Sequence, residues 1–195
     1  MREEIWEFEK DKRNDVLIAN TQAFLDAMDR DPSITDGFLR HNAELFKMLA
    51  DQQGAGLKGS LRYITMSFLQ SGVVAETYEL ATACHTADLY MDETETETYW
   101  QMGFLRDMVN RDMERIVPRL HREIFQIRDY EIEEFRFHHA MNYLALLLPF
   151  FSQVVHRVFA LPAFLAVQKE EQVDVTFGSY MEEAFTLARY NQEGA

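Results

Sequence analysis

The chain has 195 residues, 47% hydrophobic and 27% charged, so it is long enough to bury a sizeable core. Its 19 Lys and Arg residues against 33 Asp and Glu residues give a formal net charge of −14. Such a balance opposes attraction to phosphate backbones over most of the surface. We therefore expect no nucleic-acid partner.

The cysteine usage and the termini of the sequence favour a cytoplasmic protein. Cys84 is the single cysteine and cannot form a disulfide within the chain. The first ten residues are acidic and lack the basic and apolar regions of a secretory signal. The most apolar stretch, residues 141–167, is interrupted near its middle by polar residues, and each apolar half is well short of the ~20 residues that span a bilayer. We expect no membrane partner.

Two amphipathic helices are predicted at the N-terminus. The first covers residues 2–30, and its apolar positions on one face are Leu17, Phe24, Leu25 and Met28. A polar run separates this stripe from an apolar tip formed by Ile5, Trp6 and Phe8, which we expect to dock elsewhere or on another chain. The second helix begins after Asp31-Pro32, a favourable helix start, and runs to about Gln53.

The rest of the chain is also predicted to be mainly helical. Residues 61–90 are apolar or small nearly all round, as is typical of a central helix. Further helices are expected over residues 95–117, where Pro118 kinks or restarts the helix, over 128–159 with a bend at Pro149, and from Ser179 to Tyr190. Residues 173–177 alternate with a period of two, which is a weak strand signal with no obvious partner.

These elements predict an all-α fold. We expect a single-domain irregular helical bundle of six to seven helices covering residues 1–195, with a short extended segment near 173–177. No fixed-period repeat and no linker divides the sequence.

A glycine-rich stretch at residues 54–59 satisfies the pattern G-x-G-x-x-G. In dinucleotide sites these glycines follow a buried strand and let the backbone approach a pyrophosphate. Here the preceding residues read as the end of an amphipathic helix, so we interpret the stretch as a corner between helices. Lys58, beside the exposed amides, could hold an adventitious anion.

The sequence contains no motif that specifies a metal site or a catalytic nucleophile. No Glu stands three residues before any of the six His, so the ligand spacing of di-iron bundles is missing. Cys84 and His85 are adjacent, and on a helix they would point about 100° apart, so Cys84 is interpreted as a small buried residue. We expect no metal and no cofactor.

Two clusters are the candidate ligand-binding residues. Arginines at helical spacing could line one face and hold an anion, although acidic neighbours such as Asp112 and Glu123 favour a salt-bridged surface: Arg111, Arg115, Arg119 and Arg122. Met141 and Phe151, near the expected bend, could line an apolar pocket, although core packing is the commoner role of such side chains.

The leading functional prediction is a non-catalytic helical module that self-associates, as a homodimer, and binds a protein, an apolar small molecule or an anionic small molecule between its helices. The alternative is an enzyme with an interhelical pocket that uses His138, Glu134 and His85 as acid–base groups or metal ligands. A sensor domain of a transcriptional regulator is a third reading, which would need a separate DNA-binding partner.

Overall fold

The computed structural model describes residues 3–30, 32–180 and 184–192. Two long helices come first: α1 (Glu3–Arg30) and α2 (Ser33–Gly54). Three strands follow, with a short helix between the first two: β1 (Leu61–Phe68), α3 (Gln70–Val74), β2 (Glu79–His85) and β3 (Glu97–Gln101). A 3₁₀ turn, Leu89–Met91, lies between β2 and β3.

A second helical stretch precedes the last two strands. Its helices are α4 (Gly103–Glu123), α5 (Asp129–Leu146), α6 (Leu148–Val158) and α7 (Pro162–Ala166). The chain then ends in the hairpin-like pair β4 (Lys169–Ser179) and β5 (Ala184–Asn191). None of the helices in the described residues is long and apolar enough to cross a membrane.

The strands form one five-stranded mixed sheet in the order β3-β2-β1-β4-β5. The central pair, β1 and β4, is parallel, and the other three pairs are antiparallel. A parallel pair needs a long crossover, and the stretch from β2 to α7 supplies it. The sheet is therefore assembled from two parts of the chain that are distant in sequence.

The all-α prediction is wrong, and residues 61–90 show why. This segment forms β1, α3 and β2 instead of one central helix. The inward positions of the two strands are mostly apolar, with Thr82 among them, whereas the outward positions include Thr65, Ser67, Ala81 and Ala83. Because these outward residues are small, the alternation between a polar and an apolar face was weak, and the segment resembled a helix that is apolar all round.

Three further helix predictions need correction. Residues 97–101 form strand β3, so the helix expected from residue 95 begins at Gly103, and Pro118 lies inside α4 without ending it. Residues 184–191 form β5 instead of a terminal helix. The glycine-rich stretch joins α2 to β1, so it is a helix-to-strand corner and not a corner between helices. Gly56 adopts a positive φ of 71° there.

Other predictions are confirmed. Helices α1 and α2 have nearly the expected bounds, and α5 gives way to α6 around Pro149, which lies in the first turn of α6. The extended segment near 173–177 is part of β4, which has partners on both sides, β1 and β5. The strand signal was real, and its partners lay too far away in sequence to be recognised.

The helices pack against one face of the sheet and form the core there. The ring of Phe151 on α6 stacks on that of Phe177 on β4, with centroids 4.8 Å apart, and Phe38 on α2 meets Phe151 edge to face at 5.9 Å. At the N-terminal tip, Ile5 is fully buried and Phe8 packs edge-on against Phe135. This part of the tip docks within its own chain, while the side chain of Trp6 lies outside the described residues.

Candidate ligand-binding site

The face of the sheet opposite the helices has a floor of small side chains. Thr65 pairs with Ala83 across β1 and β2, and Ser67 pairs with Ala81. Directly paired residues project to the same side of a sheet, and alternate residues share that side. These four side chains therefore lie together on the open face and leave room above the centre of the sheet.

The connection between β2 and β3, residues 86–96, lines a cavity of about 180 Å³ together with this floor, and we call this connection the covering segment. The four small side chains of β1 and β2 form its floor. Other side chains that line the cavity come from the end of β2, from β3, from the position after β4, from the corner before β1 and from the covering segment: His85, Glu97, Tyr180, Lys58, Leu89, Tyr90 and Glu95. The cavity is thus built from residues of β1, β2 and β3, from the covering segment and from the residues that precede β1 and follow β4.

A buried ion pair holds the covering segment in place. Lys58 Nζ lies 3.0 Å from Asp92 Oδ2, and the two side chains are only 2% and 9% exposed. The same ammonium donates to the backbone oxygen of Thr94 at 2.6 Å. Lys58 therefore does not present its charge to an anion, as the sequence suggested, but ties the corner after α2 to the middle of the covering segment.

Asp92 receives further hydrogen bonds from Thr86, at the start of the same segment. The Thr86 backbone N–H donates to Asp92 Oδ2 at 2.8 Å, and the Thr86 hydroxyl donates to the other carboxylate oxygen. Burial alone would raise the pKa of Asp92, but the hydrogen bonds from Thr86 together with Lys58 outweigh it, so this pKa is lowered. The carboxylate is charged at neutral pH and fully engaged in the covering segment.

A second anchor lies at the end of the segment. Gln52 on α2 donates to the backbone oxygen of Glu95 at 3.0 Å and accepts from the Thr96 hydroxyl. The backbone oxygen of Thr96 in turn accepts from Cys84 N–H at 2.9 Å, which starts the pairing with β3. The middle of the covering segment is thus attached to the corner after α2, and its far end is attached to α2 itself.

His85 forms one wall of the cavity. Its Nε2 lies 3.0 Å from the Thr65 hydroxyl oxygen, and its ring meets that of Tyr90 edge to face at 5.3 Å. Burial, and secondarily the charge of Lys58, lowers the pKa of His85, against the opposing effects of Asp92 and a hydrogen bond with the backbone of Leu89. The imidazole is therefore neutral at neutral pH, and Leu89 is held at a positive φ of 54° beside it.

Cys84 and His85, which are adjacent in sequence, have different surroundings. The contacts of His85 are a hydroxyl, an aromatic ring and the Leu89 backbone, and within the described residues its ring contacts no carboxylate that would complete a nucleophile–base–acid series. Cys84 points into the core, where it is fully buried, and burial raises the pKa of its thiol. The adjacent Cys84 and His85 thus lie on opposite faces of β2.

The predicted arginine cluster lies elsewhere, on the outer side of α4. Arg111, Arg115 and Arg122 are exposed, and Arg119 is half-exposed. Arg119 lies 3.7 Å from Glu123 and its guanidinium sits over the Phe8 ring, 5.8 Å from the centroid. None of the four lines the cavity on the sheet.

Neither apolar candidate lines that cavity. Phe151 is fully buried in the core between Phe38 and Phe177, where it fills space instead of enclosing it. Met141 is half-buried and packs against the same core. The core role that the sequence favoured for these side chains is the one the structure shows.

The residues of the enzyme alternative are not brought together. Glu134 and His138 lie on α5, which packs with α1, α4 and α6 on the helical side of the sheet. His85 lies on the open face, so the sheet separates it from the other two. Within the described residues, no group of three or more His, Cys, Asp or Glu side chains is arranged to hold a metal ion.

A buried polar network, which the sequence did not predict, joins α1, α4 and α5. The Asp112 carboxylate lies 3.0 Å from His139 Nε2 and accepts from the Tyr143 hydroxyl and from Asn20 Nδ2. Burial alone would raise the pKa of Asp112, but these hydrogen bonds, with that of His139 largest, lower it. Asp112 and His139 are each 1% exposed, so this pair holds helices together and offers no surface to a substrate.

No known family model, no curated protein and no solved structure matches this chain. The signal that could have located the site in the sequence is the run of small residues at alternate positions of β1 and β2, once these segments are recognised as strands.

Proposed function

We propose that this chain is a non-catalytic binding module whose site is the cavity on the open face of the sheet. The observation that carries the proposal is a cavity whose floor has only small side chains and whose covering segment is fixed by the buried Lys58–Asp92 pair. Ligand sites are commonly largely preformed, concave and lined by a few placed polar groups. The proposal keeps the binding role predicted from the sequence and moves it from the helices to the sheet.

The volume of the cavity limits the size of the ligand. Pockets for drug-sized ligands typically measure ~300–1,000 Å³. The cavity here measures about 180 Å³, below that range. It fits a small organic molecule or a single side chain better than a nucleotide or a coenzyme.

A homodimer and a cytoplasmic location remain proposals. Exposed aromatic side chains away from the cavity, of a kind enriched at protein interfaces, support self-association: Tyr130 and Phe185 are 62% and 64% exposed. Native mass spectrometry of the freshly purified protein, beside a denatured control, tests this part because it reports the mass of the assembly and of any retained molecule. A monomer across micromolar concentrations contradicts the dimer.

The binding role is tested by filling the cavity. In Ala83→Leu the larger side chain rises from the floor into the space above it, while Ala23→Leu is the matched control at an exposed position of α1, on the helical side of the protein. Amide chemical shifts of ¹⁵N-labelled protein are followed during titration with three probes of similar shape: tert-butanol, pivalate and tetramethylammonium. We expect saturable shifts around Thr65 and Tyr180 with at least one probe, lost in Ala83→Leu and kept in Ala23→Leu. Absence of saturable shifts with all three probes contradicts the proposal.

A further inference from the structure

The rim of the cavity carries aromatic rings that remain accessible to solvent. Tyr90 and Tyr180 line the cavity and are 59% and 47% exposed. Tyr99 projects from β3 on the same face, because it pairs with Ala81 of the floor, and it is 53% exposed. Large exposed rings around a concavity leave their faces free for a ligand, and the electron-rich face of a ring attracts cations.

The fixed charge around the cavity is negative. Three carboxylates line it, Asp92, Glu95 and Glu97, against the single ammonium of Lys58, which leaves a formal charge of −2. The Lys58 charge is already matched by Asp92 at 3.0 Å, and His85 carries no charge at neutral pH. The charge left to act on a ligand is therefore that of the two glutamates.

Glu97 is the carboxylate best placed to act on a ligand. Glu97 is paired with Ala83 across β2 and β3, so it lies on the same face of the sheet as the cavity floor, and it is half-buried. Glu95 lies on the covering segment and is exposed. The Tyr99 hydroxyl donates to Glu97 Oε2 at 3.0 Å, and this bond positions the carboxylate at the edge of the cavity. A charge in a partly buried position is screened less by salt than one on the surface.

We propose that the cavity selects a small organic cation, with the ring faces of Tyr90 and Tyr180 contacting its alkyl-ammonium group and Glu97 supplying the counter-charge. The inference rests on the proposed function and names the ligand class for the same site. An anion entering this space would meet two unmatched carboxylates and no available cation. A neutral ligand of the same shape would gain the apolar contacts but not the attraction to the carboxylates and the rings.

The net charge of the chain acts in the same direction. A formal charge of −14 at neutral pH raises the local concentration of cations near the surface and favours their encounter with the cavity. This long-range attraction is weak at physiological ionic strength, where the screening length is about 8 Å. Selectivity must therefore come from the residues that line the cavity.

The test compares the three probes of similar shape at constant ionic strength, with Kd values taken from saturable shifts of amides that surround the cavity. Tetramethylammonium is expected to bind with a Kd in the low millimolar range, and at least tenfold more tightly than tert-butanol or pivalate. Glu97→Gln keeps an acceptor for Tyr99 and removes the charge, and it should weaken tetramethylammonium about tenfold without changing tert-butanol. Tyr180→Leu should weaken it about threefold to tenfold.

Matched control variants remove the same groups from distant positions. Glu133→Gln and Tyr130→Leu alter exposed residues of α5, outside the cavity, and should leave every Kd unchanged. Equal or tighter binding of tert-butanol or pivalate, lost in Ala83→Leu, overturns the cation inference while the binding role stands. Binding of none of the three probes overturns both. Cation binding that Glu97→Gln and Tyr180→Leu leave intact also overturns the inference, because the cation would then lie elsewhere.

Discussion

Replacing Lys58 by Met should destabilise the fold because it removes the ion pair that holds the covering segment. Met has a similar length and no charge, so the change leaves Asp92 as a carboxylate in a site where its side chain is 9% exposed. Removing one partner of a buried ion pair typically costs ~3–5 kcal/mol. Asp92 keeps its two hydrogen bonds from Thr86, and the segment can open to hydrate it, so we expect the lower end of this range, about 3 kcal/mol. For a chain of this length this corresponds to a fall in Tm of about 6–12 °C.

Urea denaturation followed by far-ultraviolet circular dichroism measures this loss. A double-mutant cycle with Asp92→Asn isolates the coupling between the two groups, and Lys58→Met with Asp92→Leu should recover most of the stability because no charge remains buried. Hydrogen exchange should accelerate at the amides of residues 86–96 before it does in the helices. A fall of less than about 0.5 kcal/mol in the free energy of unfolding, or a coupling energy near zero, would show that the Lys58–Asp92 pair does not hold the covering segment.

Three further predictions concern other buried or half-buried groups. Asp112→Asn should lower the free energy of unfolding by about 2–4 kcal/mol in urea denaturation. The control Asp107→Asn changes an exposed residue of the same helix and should alter this free energy little. Equal effects of the two variants would contradict a stabilising role for the buried hydrogen bonds of Asp112. Cys84 should react with a thiol reagent such as DTNB only when the protein unfolds, since burial raises its pKa; rapid labelling of the native protein would place the thiol elsewhere. Burial lowers the pKa of His41 and of His85 in the folded state, so the unfolded state binds more protons below about pH 6.5. The urea midpoint should therefore fall as the pH drops from 7 towards 5, and less so in a His41→Gln/His85→Gln variant; a profile identical to that of the wild type would contradict these shifts.

The sequence predicted the helices well where their periodicity was clear. Helices α1 and α2 have one apolar stripe each, with Leu17 and Phe24 buried as expected on the first. Periodicity failed for β1 and β2 because neither face of these strands is strongly polar: the inner face packs against the helices, and the outer face carries the small residues of the cavity floor beside larger ones such as Tyr63 and His85. The feature that misled the fold prediction is the one that creates the site.

The site itself depends on contacts that no local pattern reveals. Lys58 and Asp92 meet across a helix-to-strand corner and a strand pair, and Glu97 reaches the floor only through the register of β2 with β3. Tyr180 joins the rim because β4 returns to pair with β1 after the long helical stretch. Residue types alone could identify a charged or aromatic group, but not the neighbours that decide its role.

The central claim is that the cavity on the open face binds a ligand, and a titration of ¹⁵N-labelled protein with tetramethylammonium chloride tests it most directly. At constant ionic strength, we expect saturable shifts of the amides of Thr65, Ala83 and Tyr180, which disappear in Ala83→Leu and persist in Ala23→Leu. Shifts that fail to saturate, or that are unchanged when Ala83→Leu fills the cavity, would contradict it.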